Sequence, residues 1–263
     1  MKIGFIGVGN MAGAIIKGLL KQGIDGQDIL VHSAHQSNYE TFAKKFGVRA
    51  VPSNLEIVRD ADTIVLAVKP YVIGTVIDEV KAVIKDDQLV VSIASVVSVG
   101  DIEQLIGRHV PILRTMPNVN VEIGEGMTAV NGNGPLDESP FKKGVALFET
   151  IGKTMEVEEK DFPIFSAIAG SAPAYAYLFI DALSRAGVKY GLSKAESTAI
   201  AAQMVKGSAE MVLKSSEVPY ALIDKVSSPG GTTVAGLLAM EEAGFSTAVV
   251  KGIDATVGKE IGK

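Results

Sequence analysis

The fold is decided by residues Lys2–Ala12, which read KIGFIGVGNMA: an apolar run, closely spaced glycines and the start of a helical pattern. The segment matches G-x-G-x-x-A at Gly7, Gly9 and Ala12. The first glycine permits a tight turn off a strand, the second lets the backbone approach a diphosphate, and the alanine lets the helix pack closely. N–H groups at the helix start would bind that diphosphate. Because the pattern opens a strand–turn–helix unit, it predicts a dinucleotide site rather than a purely structural turn.

The first half of the chain alternates short runs rich in Ile, Val and Leu with amphipathic segments. The predicted strands are Lys2–Ile6, Ile29–His32, Thr63–Ala67, Leu89–Ile93, Ile112–Thr115, Met127–Val130 and Thr154–Val157. The predicted helices are Met11–Lys21, Tyr39–Phe46, Ile73–Ile84 and Pro140–Glu149. Buried parallel strands read as continuous apolar runs and are joined by crossover helices. We therefore expect an α/β domain over residues 1–158, with a Rossmann-type, doubly wound parallel sheet.

Strand-like runs end near residue 158, and Ala, Leu, Met, Glu and Lys dominate the rest of the chain. The predicted helices are Asp161–Ala169, Ala174–Tyr190, Lys194–Lys214, Tyr220–Val226, Thr233–Ala243 and Phe245–Ile261. So much apolar helix surface in a short segment favours burial against another chain. We expect a C-terminal, all-helical dimerisation domain over residues 159–263, in a homodimer or an assembly of dimers. The alternative is a self-contained helical bundle.

Composition excludes several classes of function. The 263 residues carry a net charge of −5, which argues against a nucleic-acid partner. There is no cysteine, and the three histidines are dispersed, so we expect neither a disulfide nor a metal site. Glycines interrupt the N-terminal apolar run, which excludes a signal peptide of the usual kind. We find no window of about 18 apolar residues free of charge, and expect a cytoplasmic protein with no membrane span.

The choice of nucleotide depends on the end of the second strand, Val31–Asn38, which reads VHSAHQSN. No carboxylate is present to accept a hydrogen bond from a ribose 2′-OH, as NAD-selective sites require. Ser33, His35 and Asn38 can instead donate to a 2′-phosphate. This pattern favours NADPH, although a polar loop of this kind would also tolerate NADH.

Two further strand ends are candidates for contacts with the nucleotide. Residues Ala67–Pro70 follow a buried strand, and open α/β sheets bind ligands at the carboxyl ends of their strands. Lys69 would orient the ribose or nicotinamide side, or else be a solvated lysine. Asn54 would either contact the nucleotide or act only as a helix N-cap. The segment Ser92–Ser95 follows the next strand and should lie beside the nicotinamide.

The most informative C-terminal segment is Ser227–Gly236, which reads SSPGGTTVAG. Gly230 and Gly231 permit unusual backbone angles just before a helix. Successive N–H groups there, aligned with the helix dipole, suit a small carboxylate. Ser228 would add a hydroxyl donor, and Thr233 would hydrogen-bond a neighbouring ring nitrogen. The alternative is an ordinary capped helix start.

Together with Met116–Asn118 (MPN) and Gly170–Tyr175 (GSAPAY), these segments resemble pyrroline-5-carboxylate reductase over residues 1–259. The resemblance implies a Rossmann domain, a helical dimerisation domain, and reduction of 1-pyrroline-5-carboxylate to proline, the last step of proline biosynthesis, with NADPH or NADH. It implies cofactor contacts at Ile6, Gly7, Val8, Gly9, Asn10, Met11, Ser33, Asn54, Ala67, Val68, Lys69, Pro70 and Ala94. It implies substrate contacts at Thr232 and Thr233, and Glu159, at the domain junction, is expected to face the substrate.

The chain departs from the family pattern at three points. Its Ser92–Val97 reads SIASVV where the family often has SIAAGV, so that Val96 replaces a glycine and restricts the backbone. Its Met116–Asn120 reads MPNVN rather than MPNTP, and GSAPAY replaces GSGPAY. These changes bear on substrate geometry and turnover rather than on the class of reaction.

The expected chemistry needs little acid–base assistance, because a protonated cyclic imine is already electrophilic. Catalysis would come from holding the nicotinamide against the substrate ring with the carboxylate anchored, and Thr233 would orient the ring nitrogen. One alternative is a β-hydroxyacid dehydrogenase, for whose catalytic lysine Lys189 and Lys206 are loose candidates. Another is a non-catalytic NADP(H)-binding protein. A serine hydrolase is excluded, since the chain has no G-x-S-x-G and no histidine in its helical half.

Overall fold

The computed structural model describes residues 1–262 and divides into two compact units: Met1–Gly170, the sheet unit, and Ser171–Lys263, the helical unit. The strands are β1 Ile3–Ile6, β2 Ile29–His32, β3 Arg49–Ala50, β4 Thr63–Leu66, β5 Leu89–Ser92, β6 Ile112–Met116, β7 Gly126–Gly132 and β8 Gly152–Glu156. The helices of the sheet unit are α1 Asn10–Lys21, α2 Gln36–Phe46, α3 Asn54–Asp60, α4 Ile73–Val80, α5 Val99–Ile106, α6 Phe141–Glu149 and α7 Phe162–Phe165.

The eight strands form one sheet in the order β3-β2-β1-β4-β5-β6-β7-β8. All neighbours are parallel except β6 and β7, which are antiparallel. Ile6 lies opposite both His32 and Leu66, so β1, β2 and β4 end at the same edge. The strand order reverses between β1 and β4, and such a switch point opens a crevice at the carboxyl ends. The predicted doubly wound sheet is confirmed, with an antiparallel step that the sequence analysis did not foresee.

The central strands are buried on both faces, which explains their continuous apolar runs. Ile3 and Phe5 face one hydrophobic cluster with helix α1, whereas Ile6 faces a second cluster with helices α3 to α5. Side chains that alternate along a strand point to opposite faces. The sheet unit is therefore a three-layer sandwich whose two cores hold the carboxyl edge of the sheet rigid.

Helix α5 is not among the predicted helices, because its eight residues follow an apolar run that is typical of a strand. Its start is a capping box: Asp101 N donates to Ser98 Oγ at 3.0 Å, and Ser98 N donates to the Asp101 carboxylate at 2.9 Å. The Ser98 hydroxyl also donates to the Asp101 carboxylate at 2.6 Å, and this bond, followed by the one from Ser98 N, lowers the pKa of Asp101. Gly107, with φ +77°, ends the helix in the left-handed region. The short helix α3 is not among the predicted helices, although the N-cap interpretation of Asn54 implies a helix there.

The helical unit contains α8 Ala172–Lys189, α9 Lys194–Lys214, α10 Pro219–Val226, α11 Thr232–Glu242 and α12 Phe245–Glu260. Helices α8 and α9 form a tight hairpin, in which a Cβ on Gly187 would lie 2.4 Å from Ser197 Oγ. Among the described residues of this unit, Ala201 is the one buried apolar side chain. Large side chains such as Leu178 and Leu213 are exposed. The helical unit therefore has no core of its own, contrary to the self-contained bundle.

One expectation about the chain's hydropathy was wrong. Residues Phe162–Ile180 carry no charge. They lie in a helical run, Glu159–Lys189, that is long and apolar enough to cross a membrane by length and composition. Serine, glycine and tyrosine residues interrupt the apolar positions, which is why the run was missed. The core helix of a protein outside the membrane passes the same test, so this run requires a covering surface but does not identify it.

Candidate active site

The glycine turn after β1 is wedged between the ends of two other strands. Gly7 has φ +104°, a conformation that side chains with a Cβ rarely adopt. Its N–H donates to the His32 carbonyl at 2.8 Å, and a Cβ on Gly7 would lie 2.5 Å from the Ala67 carbonyl oxygen. The half-buried Val8 packs against the core beside helix α1. Position 7 thus accepts only glycine, as the motif predicts.

The start of helix α1 is open. Gly9 is the N-cap residue, no side chain caps the helix, and no acidic residue lies in its first turn. A Cβ built on Gly9 would meet no atom within 4 Å. Asn10 is exposed and Met11 half-buried, whereas Ala12 is buried against the sheet. The first N–H groups of a helix point along the positive end of its dipole. This cradle fits the diphosphate of a dinucleotide.

The end of β2 carries side chains that can donate hydrogen bonds and has no acidic side chain. Ser33 is half-buried, and His35 is exposed at the start of α2 without capping it by its side chain. His32 is already occupied, because its Nδ1 lies 3.0 Å from the Val51 carbonyl. The first acidic residue beyond the strand is Glu40, which accepts a hydrogen bond from Gln36. A 2′-phosphate at this end would meet no fixed negative charge.

Asn54 does not cap helix α3, contrary to one of the two interpretations. Ser53 is the N-cap, and its Oγ accepts a hydrogen bond from Glu56 N at 3.2 Å. Asn54 Nδ2 donates to Glu79 at 2.7 Å, while Asn54 Oδ1 is buried without a partner. A buried acceptor without a hydrogen-bond partner is rare in native proteins. It is available to a ribose or adenine donor, and the cofactor contact of Asn54 stays a prediction.

The loops after β4 and β5 lie at the same edge as the glycine turn. Ala67 N donates to the Ile6 carbonyl at 2.9 Å, and Leu66 lies opposite Ser92. Residues Val68–Pro70 follow, with Lys69 exposed and Pro70 opening a single helical turn. Ala94 is buried, and its N–H donates to Ser92 Oγ at 3.3 Å. The structure thus brings these predicted segments of the sheet unit together at one edge of the sheet.

Glu159 is engaged within the sheet unit. Its Oε2 accepts a hydrogen bond from the Arg114 guanidinium, and its Oε1 accepts one from Val99 N at 2.9 Å. Both oxygens therefore have protein partners. The predicted contact between Glu159 and the substrate stays a prediction, and a second role for the residue is argued below.

The Pro-Gly-Gly turn in the helical unit leads into helix α11 without a side-chain cap. Gly230 has φ +68°, and Gly231 N donates to the Ser228 carbonyl at 2.9 Å. Gly231 is the N-cap residue, and Thr232 and Thr233 are the first, exposed residues of the helix. This is not the ordinary capped start that was the alternative. The open N–H groups at the positive end of α11 suit a small carboxylate.

Two buried polar residues, Arg114 and Asn118, make contacts that the sequence does not predict. Pro173 has no N–H for the carbonyl four residues earlier, that of Ala169. Asn118 Nδ2 donates to that carbonyl at 2.9 Å, beside a widened, π-helical turn at Ser166–Ser171. The MPN motif thus hydrogen-bonds a carbonyl whose regular α-helical donor the proline of the GSAPAY motif removes. A lone charged or amide residue within an apolar run is the signal that marks both positions.

The fold and the site define a dinucleotide-dependent oxidoreductase with a Rossmann-type domain. Residues 2–96 match a family model described as NADP oxidoreductase, coenzyme F420-dependent, and residues 159–261 match one described as pyrroline-5-carboxylate reductase dimerisation. The chain belongs to the pyrroline-5-carboxylate reductase family. The resemblance seen in the sequence is thereby confirmed, and the second match begins where the helical domain was predicted to begin. The predicted domain limit at residue 158 itself stays a prediction, since the compact units divide at Gly170.

Similar proteins cover nearly the whole chain. The pyrroline-5-carboxylate reductase of Escherichia coli is 37% identical over 95% of this chain and 93% of its own length. The crystal structure of the Streptococcus pyogenes enzyme has a TM-score of 0.88 at 37% identity, and covers 99% of this chain and 98% of its own. The Plasmodium falciparum enzyme, solved with NADP bound, has a TM-score of 0.87 at 35% identity, and covers 99% and 97%.

Proposed function

We propose that the protein reduces 1-pyrroline-5-carboxylate to L-proline, with NADPH as its preferred cofactor and NADH as a possible substitute. The observation that carries this is a pair of helix starts, α1 and α11, each with a glycine N-cap and no side-chain cap. One suits a diphosphate and the other an amino-acid carboxylate. The relative from Plasmodium falciparum, solved with NADP bound, supports the choice of cofactor.

When bound, the reduced nicotinamide supplies a hydride, a hydrogen with both bonding electrons, to the carbon of the protonated C=N bond. The ring nitrogen keeps its proton and becomes the amine of proline. The chain's own contribution is orientation. The open N–H groups of Thr232 and Thr233 hold the carboxylate, since that of Gly231 is paired with the Ser228 carbonyl, and Ser228 adds a hydroxyl. The Thr233 hydroxyl accepts a hydrogen bond from the ring nitrogen. Backbone donors at Gly9, Asn10 and Met11 hold the diphosphate.

The preference for NADPH rests on the acid-free end of β2. Ser33 and His35 would donate to a 2′-phosphate, and a carboxylate that would repel it is absent up to Glu40. Because neither donor is an arginine, the discrimination against NADH should be modest.

The helical unit would be completed by a second copy of the chain. Its exposed apolar faces need a cover, and the match to the dimerisation model spans residues 159–261. We propose a homodimer, or an assembly of dimers, and assign the exposed apolar side chains of the run Glu159–Lys189 to that assembly rather than to a membrane. The net charge of −5 disfavours nucleic acid, and the proposed location is the cytoplasm.

The experiment that tests the function follows the absorbance of the nicotinamide. We expect rapid oxidation of NADPH with pyrroline-5-carboxylate, slower oxidation of NADH, and none without substrate. A β-hydroxyacid offered with oxidised cofactor should give no signal. Turnover of the hydroxyacid alone, or cofactor binding with no turnover of the imine, would contradict the proposal.

Thr233→Ala should raise KM for pyrroline-5-carboxylate and lower kcat/KM roughly 3- to 10-fold, the range expected for one hydrogen bond. The KM for NADPH should not change, because the predicted contacts with the cofactor all come from the sheet unit. Thr247→Ala is the matched control, since Thr247 is also exposed in the first turn of a helix. Parental kinetics in Thr233→Ala would remove Thr233 from the site.

A further inference from the structure

Arg114 is the buried charge of the sheet unit that the proposed chemistry does not use. It lies within β6 and is 5% exposed. A buried guanidinium is costly unless its donors are satisfied by well-placed acceptors. A residue of this kind in an apolar strand therefore calls for a function beyond packing.

The guanidinium of Arg114 joins two segments that are distant in sequence. Its Nη1 donates to the Glu159 carboxylate, and its Nη2 donates to the Ser95 carbonyl. Its Cζ lies 4.0 Å from the centroid of the Phe162 ring, a cation–π contact with a buried aromatic side chain. Glu159 in turn accepts from Val99 N at the start of helix α5. The loop after β5 is thus fixed at both ends by one ion pair.

That loop begins at the end of Ser92–Ser95, the segment expected beside the nicotinamide. Ser95–Ser98 belong to neither strand nor helix. The register places Ser92 opposite Leu66, and Leu66 opposite Ile6, so the loop leaves the sheet at the edge that carries the glycine turn. Val96, the residue that departs from the family pattern, is 57% exposed within it. The position of the backbone at Ser95 therefore depends on the hydrogen bond that Arg114 donates to its carbonyl.

We propose that Arg114 is a positioning residue for hydride transfer, which acts by holding the Ala94–Ser95 backbone against the nicotinamide. Glu159 acts through Arg114 by fixing the guanidinium and the start of α5. This inference rests on the proposed function. It requires the planar, two-pronged donor of arginine, because one ammonium group cannot meet both acceptors in the same geometry.

The test compares Arg114→Lys with the parent protein. We expect the affinity for NADPH to change about 2-fold or less, because the diphosphate cradle of α1 is untouched. We expect kcat to fall up to about 100-fold, the effect of a small misplacement of reacting groups. The primary deuterium isotope effect on kcat, measured with NADPH deuterated at the transferred position, should increase as hydride transfer becomes limiting. Amide hydrogen exchange at residues 93–98 should accelerate, while α1 keeps its protection.

The chain offers a matched control in Arg108→Lys. Arg108 precedes the same strand and also bridges a carboxylate, Asp86, and a carbonyl, that of Ile84. It lies at the opposite, amino end of the sheet, so kcat and the isotope effect should stay at the parent's values. Glu159→Gln is the milder variant should Arg114→Lys fail to fold. Its amide oxygen still accepts a hydrogen bond, and we expect a smaller fall in kcat with the same rise in isotope effect.

Two outcomes would overturn the proposal. One is parental kcat and isotope effect in folded Arg114→Lys or Glu159→Gln. The other is a loss of thermal stability in both with unchanged kcat per folded molecule, which would make the ion pair purely structural. If the parent protein reduces no pyrroline-5-carboxylate, the proposed function fails. The exchange of residues 93–98 then decides by itself whether Arg114 holds the loop.

Discussion

Gly9→Ala is expected to leave the protein folded and as stable as the parent, yet to bind NADPH roughly 10- to 100-fold more weakly. Gly9 has φ −91°, which alanine adopts freely, and its added Cβ would touch no protein atom. The methyl group would instead occupy the space through which the diphosphate approaches α1. Losing one charge-assisted hydrogen bond costs about 1.5–3 kcal/mol, and each 1.4 kcal/mol is about tenfold in affinity.

Gly7→Ala is the informative comparison, because its defect is one of conformation. With φ +104° and the Ala67 carbonyl 2.5 Å from the added Cβ, this variant is strained before any cofactor binds. Strain at such a backbone position costs about 1–3 kcal/mol, and the clash adds to it. Thermal melting and titration of nicotinamide fluorescence separate the two variants. A Gly9→Ala protein with the parent's dissociation constant would show that α1 does not bind the diphosphate.

The second large effect is expected from Ile200→Asp in the helical unit. Ile200 is 59% exposed on α9 and lines a shallow apolar groove with Leu183 and Met204. If a second copy covers this groove, the substitution buries an unpaired carboxylate in each subunit, at a cost of about 3–5 kcal/mol. We expect dissociation of the dimer and a lower melting temperature, measured by sedimentation velocity and calorimetry.

Met155→Asp controls for the change of an exposed apolar residue to a charge. Met155 is 52% exposed on the edge strand β8 of the sheet unit, outside the helical unit. Its substitution should leave the association state unchanged. An Ile200→Asp protein that sediments as the parent does would contradict the assignment of the α8–α9 groove to the dimer interface.

The parts of the fold that could be predicted are those that depend on residues close together in the sequence. Gly7 and Gly9 predict a turn because only glycine readily adopts a positive φ or allows a ligand to approach the backbone closely. Gly230 and Gly231 announce the start of α11 for similar reasons. The central strands are predictable because both of their faces are buried, so that each strand is an unbroken apolar run in the sequence.

The parts that were missed depend on partners far along the chain. Arg114 meets an acceptor 45 residues away, and Asn118 meets one 51 residues away, so neither role is visible in a short window. Strand β7 runs antiparallel to β6. An apolar run predicts a strand but not the direction in which it pairs with its neighbour.

The scarcity of buried apolar side chains in the helical unit has a consequence for the life of the chain in a cell. A segment with no interior of its own gains its stability only when its surface is covered. If the cover is another copy, folding of this half and association become a single event, and its stability increases with the number of chains present. The C-terminal half of a newly made chain would then stay unfolded, and accessible to proteases, until it associates with a second chain.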